Sequence, residues 1–450
     1  MSTIFNVGAA TVDITPRNSQ FLFGYPHVER YSTGAHDPLY STALAIRNAD
    51  TSLLYVANDV IFVSKALVAR ARARISRQTG IVPENIVISA THTHSGPITV
   101  DHASNKGDPI VPAASREFLG RLEDGIVAAG CAAVEQAVPA TLAYAVADGS
   151  SVGTNRHDPG GTRNTSVPLL IARSTDGSPI AAMLVCAMHP TVLHEDSTLV
   201  SADFPGFARR RIREGIGREI PILHHTGPCG NLSPRHVTKA NTFAEAERIG
   251  RSLGSAILSA WQSAEPIEQM TIGRLTAGVE LVTRSLPAVD EAEARLQAAR
   301  ERYQELMHDP EATPQLRRSA EVDVFGAEET VTLATLQASG ELDEFVAASM
   351  PAEIAVTTVG DVSFVAWPGE FFVEYALAIE REFPRTHVIS MAGGELQGYI
   401  VTQEAVLAAT YEAGNALFSA ESGALVLNAT RALLSQLGAG SEEPRSAEEL

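Results

Sequence analysis

Cysteine is scarce: the chain has three in 450 residues, Cys131, Cys186 and Cys229. So few, so scattered, exclude a disulfide framework. Long apolar runs are missing too. The longest, such as residues 180–188, fall well short of the roughly 20 residues that a membrane-spanning helix needs. The opening Met1-Ser2-Thr3-Ile4-Phe5-Asn6 has neither a basic leader nor a long apolar stretch, so no secretory signal is expected. Positive charge is in deficit, with 34 Lys and Arg against 53 Asp and Glu and a net charge of −19. Such a surface repels nucleic acid and anionic lipid, and neither is expected as a partner. Aromatic residues make up only 6%, and no exposed amphipathic helix or aromatic cluster points to membrane docking. These absences lead to the expectation of cytoplasmic residence without stable membrane association.

What is present is the material of a globular core: 45% apolar and 19% charged residues. Strand-like and helix-like segments alternate. Residues 52–56, 86–91, 180–188 and 221–223 read as strands. Residues 63–78, 114–137, 204–214 and 243–261 read as helices, the second with Phe118, Leu119, Leu122, Ile126, Val127 and Ala133 at a 3.6-residue period. Residues 43–46 have no clear period, and their type stays open. The pattern predicts an α/β fold, with mixed β-sheets flanked by helices and a site at strand ends. One domain is expected over 1–437. Within it, 287–340 is rich in Ala, Glu and Arg, with breakers near Asp309-Pro310 and Pro314, and reads as a helical-hairpin insertion. That hairpin is expected to be a structural arm or a homo-oligomer contact, a lid over a site being the alternative. Two β runs around Val359-Gly360-Asp361 read as a hairpin, and the tail 438–450 as disordered.

Chemistry gathers where apolar runs end. His92 and His94 close the run that begins at Ile86, and residues i and i+2 of a strand share a face. Both imidazoles are therefore expected to project together, and neutral imidazole is the commonest metal ligand near pH 7. A pair of satisfied surface histidines would look the same in sequence. Residues 180–188 end in His189-Pro190-Thr191. Residues 362–366 lead to Glu370, expected in the first turn of a helix over 370–382. Residues 387–391 lead toward Tyr399. Ligands delivered from strand ends onto one rim are how open α/β sheets build sites. The segment His224-His225-Thr226-Gly227-Pro228-Cys229-Gly230-Asn231-Leu232-Ser233-Pro234 reads as a Gly/Pro-rich loop after a short strand. Its Ser233 is a candidate nucleophile if a base lies near, and otherwise a substrate contact or loop brace. Cys229, with no second cysteine close in sequence, reads as a small buried residue.

Taken in order, a set of motifs resembles the neutral/alkaline non-lysosomal ceramidase family in its catalytic N-terminal domain. They are Val7-Gly8-Ala9-Ala10-Thr11-Val12-Asp13-Ile14-Thr15-Pro16, Gly24-Tyr25, Thr91-His92-Thr93-His94-Ser95-Gly96-Pro97, Asn155-Arg156 and His189-Pro190-Thr191. Then follow Gly230-Asn231-Leu232-Ser233-Pro234, Pro368-Gly369-Glu370, Tyr399-Ile400-Val401-Thr402 and Tyr411-Glu412-Ala413-Gly414. The resemblance implies a zinc ion (Zn2+) on His92, His189, Glu370 and Tyr399. It implies that His94 and Arg156 contact substrate or assist proton transfer, that Tyr411 orients the scissile carbonyl, and that Ser233 matches the family serine once taken as nucleophile. Two histidines and a carboxylate with an open position are sensible chemistry for amide hydrolysis.

The chain departs from the family pattern in its loop. Asn231 stands where the family usually has Asp, and Arg235 replaces Asn; Arg235 would attract an anionic substrate if it faces the site. No β-sandwich pattern follows Tyr411, where the family usually continues into an immunoglobulin-like domain. The expected activity is therefore zinc-dependent hydrolysis of a carboxamide bond in a small or soluble substrate rather than membrane ceramide. Two other readings stand beside it: a Ser233-nucleophile amidase or esterase with His94 or His225 as base, and a non-catalytic zinc-binding protein.

Overall fold

The computed structural model describes residues 4–439. The main sheet contains β1 (Phe5–Asp13), β2 (Tyr40–Arg47), β3 (Ser52–Asn58), β4 (Ile86–Ala90), β5 (Val138–Asp148), β6 (Ser166–Ser174), β7 (Pro179–Cys186) and β8 (Ile222–Thr226). Their spatial order is β8-β7-β6-β5-β1-β2-β3-β4. The two outermost pairs, β3–β4 and β7–β8, are parallel, and the rest are antiparallel. A second sheet, β9 (Ile272–Val279), β10 (Ala352–Val359), β11 (Val362–Ala366) and β12 (Thr386–Ile389), is also mixed.

Alternation along the strands explains how the sheets stack. In β3, Leu53, Tyr55 and Ala57 enter a core shared with Val362, Phe364 and Ala366 of β11. Leu54 and Val56 enter a different core, against α1 (Lys65–Thr79) and α2 (Arg116–Glu135). The main sheet is thus packed on the second sheet by one face. Its other face is covered by α1 and α2 at one end and by α3 (Phe204–Ile216) and α4 (Phe243–Gln262) at the other. Val365 and Val388 on the far face of the second sheet meet a further helical layer. That layer includes α6 (Pro314–Ser339), α7 (Leu342–Ser349), α8 (Val373–Glu382) and α11 (Glu421–Gln436), while α5 (Val289–His308) packs on α6 and α9 (Gln403–Leu407) adjoins α10 (Tyr411–Asn415), which also meets α6. The expected α/β class with mixed sheets and flanking helices is what is found.

Several local expectations need correction. Residues 40–47 form a strand, because both faces of β2 are buried and its apolar run carries no period. Strand β8 extends through His224 and His225 to Thr226, so these histidines lie in the sheet and not in the following loop. Glu370 is not in a helix: it occupies a two-residue strand, Glu370–Phe371, and α8 begins at Val373. The hairpin between residues 352 and 366 turns at Gly360, as expected. The 287–340 segment is the expected pair of helices, α5 and α6. No helix among the described residues is long and apolar enough to cross a membrane. Residues 440–450, most of the tail expected to be disordered, lie outside the described residues.

Candidate metal centre

The carboxyl ends of both sheets meet at one point. Ser89 of β4 bridges Ala392 beyond β12, and the Ser390 amide donates to the Thr226 carbonyl at the end of β8. From this junction the chain delivers His92, His189, Glu370 and Tyr399.

His92 and His94 converge, though not by the pleat of a strand. Strand β4 stops at Ala90, and His92 takes a left-handed backbone with φ 65°, a conformation non-glycine residues rarely adopt. The turn brings the His92 and His94 Nε2 atoms to 3.3 Å. Gly24 makes room for it: a Cβ there would lie 2.6 Å from the His94 side chain. The Gly24 carbonyl accepts from His94 Nδ1 at 3.0 Å, and the Tyr25 ring meets the His94 ring edge-on. His189, just beyond β7, faces the same point, with its ring 4.9 Å from that of His92.

Each of the three rings spends Nδ1 on a backbone carbonyl: His92 on Ile61 at 3.0 Å, His94 on Gly24 at 3.0 Å, and His189 on Leu232 at 2.9 Å. A carbonyl only accepts, so Nδ1 carries the proton and Nε2 of a neutral ring is a bare lone pair. Burial, and then the neighbouring histidines, hold His94 well below the usual imidazole range, and burial lowers His189 as well. Into the same space Glu370 brings Oε2, 3.1 Å from His189 Nε2 and 3.5 Å from His92 Nε2. Burial would raise this carboxyl, and positive charge at the facing imidazole nitrogens is what holds it well below its ordinary range. Three lone pairs and a carboxylate oxygen cannot satisfy one another by hydrogen bonds. A divalent cation satisfies all of them, so the residues present fit a metal ion. The ligand atoms of His92, His94 and His189 all lie within 4.8 Å of one another.

Tyr399 stands beside this group because its short strand, Tyr399–Ile400, pairs in parallel with Glu370–Phe371, setting Tyr399 opposite Glu370. Burial and the Glu370 charge push its phenol pKa up against the opposing Arg156 charge, so the hydroxyl stays protonated. Arg156 lies over the Tyr399 ring, 5.4 Å from its centre. Burial works against its charge, yet Glu412, with Oε1 2.5 Å from Arg156 Nη2, keeps it protonated. Tyr411 opens α10 and meets Tyr399 edge-on at 6.2 Å. Burial, followed by Glu329 of α6, raises its pKa.

Ser233 is placed otherwise than the nucleophile reading needs. Its Oγ caps the short helix Pro234–His236, accepting from the Arg235 amide at 3.2 Å, and this is its one hydrogen bond among the described residues. Of the two candidate bases, His94 is bonded to the Gly24 carbonyl and faces His92, and His225 pairs Nδ1 with Ser89 Oγ at 2.7 Å and is pushed down to about 3 by burial. Asn231 accepts from the Val373 amide and donates to the Glu374 carboxylate at 2.9 Å. An amide does both, whereas an aspartate there would repel Glu374. Cys186 lies near Cys229 in space, which sequence separation hid, but the metal-capable group among the described residues contains no cysteine.

Three acidic groups at the site carry no signal of their role in the sequence. Glu412 was visible within a quoted motif and is the ion-pair partner of Arg156 and His157. Glu329 sits on the hairpin helix α6, pairs with His27 and is raised to about 8 by burial. Glu395 is buried beside Glu370, with neither oxygen hydrogen-bonded among the described residues. Only packing reveals the last two. The hairpin itself lines the site: Phe325 stacks on His27, Gly326 abuts Tyr411, and Arg318 pairs with Glu195.

The family model for neutral/alkaline non-lysosomal ceramidase, N-terminal, matches residues 5–220. The neutral ceramidase of Pseudomonas aeruginosa is 24% identical over 289 residues, which is 58% of this chain and 43% of that protein. The matched stretch thus spans less than half of that curated relative's length. A solved structure of ceramidase complexed with C2 superposes with a TM-score of 0.74 at 18% identity, covering 99% of this chain and 77% of that one. A crystal structure of the neutral ceramidase from Pseudomonas aeruginosa superposes at 0.73 with 19% identity, covering 99% and 76%. Residues 5–220 thus match the N-terminal family model of the neutral/alkaline non-lysosomal ceramidases, and the chain shares the fold of the solved ceramidases.

Proposed function

We propose that the protein is a zinc-dependent hydrolase of a carboxamide bond in a small, soluble N-acyl substrate. The observation that carries this is the convergence of three imidazoles, each with Nδ1 already engaged, on the Glu370 carboxylate. In this reading His92, His189, Glu370 and Tyr399 hold the ion. When bound, zinc supplies Lewis acidity and an activated water at neutral pH.

The chain's own residues do the rest. His94 is the least buried of the three histidines and borders Tyr25, so we assign it to carry a proton between water and the leaving amine rather than to bind the ion. Arg156 is held charged by Glu412, and Tyr411 keeps its proton; both serve as donors to a carbonyl oxygen that gains negative charge. Both donors are largely covered by protein, which limits their contact with water and strengthens them. Asn231 and Ser233 brace the backbone that carries Leu232, and so orient His189.

We place the enzyme in the cytoplasm, a reading supported by free thiols at Cys131, Cys186 and Cys229, with no nucleic-acid partner at this net charge. The test is metal analysis joined to a screen of N-acyl amides of varied chain length and charge. Stoichiometric zinc with hydrolysis that depends on it supports the reading. Stoichiometric zinc with no hydrolysis of any amide or ester favours a non-catalytic binding protein instead.

A further inference from the structure

One guanidinium at the rim of the centre has no partner of its own. Arg235 follows Leu232 by three residues, and the Leu232 carbonyl orients His189. The segment is pinned to the Arg156 strand: Leu232 pairs with Asn155, Ser233 with Thr154, and the Arg156 amide donates to the Asn231 carbonyl at 2.9 Å. The charges that act on Arg235 come from Arg156, Glu412, Tyr25 and Arg318. Two of these touch the centre directly, Arg156 over Tyr399 and Tyr25 against His94.

The other arginines of this rim are engaged, Arg30 by donating to the His94 carbonyl at 2.7 Å from a buried position. Arg156 pairs with Glu412, and Arg318 with Glu195 and Glu321. The Arg235 guanidinium makes no ion pair among the described residues, and its residue is exposed. Its surroundings are nonetheless crowded by protein and poor in water, and burial together with the Arg156 charge lowers its pKa to about 10. The guanidinium is thus open to solvent yet lies among Arg156, Glu412, Tyr25 and Arg318. A cation there, pressed by a second cation, is complementary to an anion, and the planar guanidinium fork matches a carboxylate.

We propose that Arg235 binds a carboxylate on the substrate, so that the enzyme acts on acidic N-acyl amides such as N-acyl amino acids. This rests on the amidase reading above and adds to it the charge of the substrate.

The test compares N-hexanoylglycine with its neutral analogue N-hexanoylglycinamide, using the zinc-loaded full chain. The wild type is expected to favour the acid in kcat/KM. Arg235→Ala should cut the acid-to-neutral ratio about tenfold or more, chiefly through KM, with Arg235→Lys in between and Arg235→Glu reversing the preference. Were Arg235 merely structural, both substrates would suffer together and the ratio would stay, which overturns the proposal. A wild type that cleaves the neutral analogue as well as the acid also overturns it, while leaving the amidase reading intact. A zinc-loaded wild type that cleaves neither overturns both.

Discussion

The Nε2 atoms of His92 and His94 lie 3.3 Å apart, and with each Nδ1 bonded to a carbonyl neither neutral ring can donate to the other. That contact is tolerable only with a positive charge, a shared proton or a metal ion, between or beside the rings. The protein is therefore expected to hold one equivalent of metal. His92→Ala and His189→Ala should each abolish metal binding and lower kcat/KM by at least about a thousandfold. A ligand that binds only the folded state stabilises it by about 2.7 kcal/mol at a hundred times its dissociation constant. Chelation should accordingly lower the melting temperature of the wild type and leave that of the His92→Ala variant unmoved. Metal analysis and paired melts check both.

Ser233 separates the two hydrolytic mechanisms. Its hydroxyl caps the Pro234–His236 helix and reaches no base. Ser233→Ala should lose a capping bond worth about 0.5–2 kcal/mol and keep activity within about tenfold of the wild type. A loss of a thousandfold or more, with a trapped acyl-enzyme in the wild type, would instead establish the serine as nucleophile. Burst kinetics and urea unfolding together decide.

The Arg156–Glu412 pair makes stability depend on pH. Burial would raise the Glu412 carboxyl, but Arg156 and His157 hold it down to about 2. The folded pKa is below the unfolded value near 4.5. The contribution is therefore full above pH 4.5 and drains away as pH falls toward 2. Removing one member of a buried pair costs about 3–5 kcal/mol. Glu412→Gln should thus unfold at lower urea at pH 7, and its deficit against the wild type should shrink below pH 4.5. Urea midpoints across this range provide the measurement.

Much of this was legible from residue pattern, and the parts that were not share a cause. The apolar runs before His92, His189 and Glu370 read as strands because burial on both faces leaves continuous apolar sequence. The same continuity concealed how the layers stack, since Leu53 and Leu54 look alike and yet enter different cores. Glu370 reads as a helix start, because nothing local distinguishes a two-residue parallel pairing with Tyr399 from a first helical turn. His94 belongs to the metal-capable group through a left-handed turn at His92 that propensity disfavours. Glu329, Glu395 and the hairpin wall depend on contacts between residues far apart in sequence, for which a single chain carries no local signal.

The hairpin and the site meet at Gly326, and this contact makes the last prediction. A Cβ on Gly326 would lie 2.9 Å from the Tyr411 ring, closer than carbon atoms settle. Tyr411 is boxed in on its other side by Tyr399, so its ring must shift if Gly326 gains a side chain. Away from that contact the exchange favours folding: alanine is better than glycine inside a helix by about 1 kcal/mol. Gly326→Ala should therefore leave the melting temperature near or above that of the wild type while lowering kcat, with KM changing less. In a Tyr411→Phe background the same substitution should cost little further, because the hydroxyl being misplaced is already gone. A kinetic double-mutant cycle on the four proteins measures the coupling. Additive losses would show that α6 does not act on the site through Tyr411.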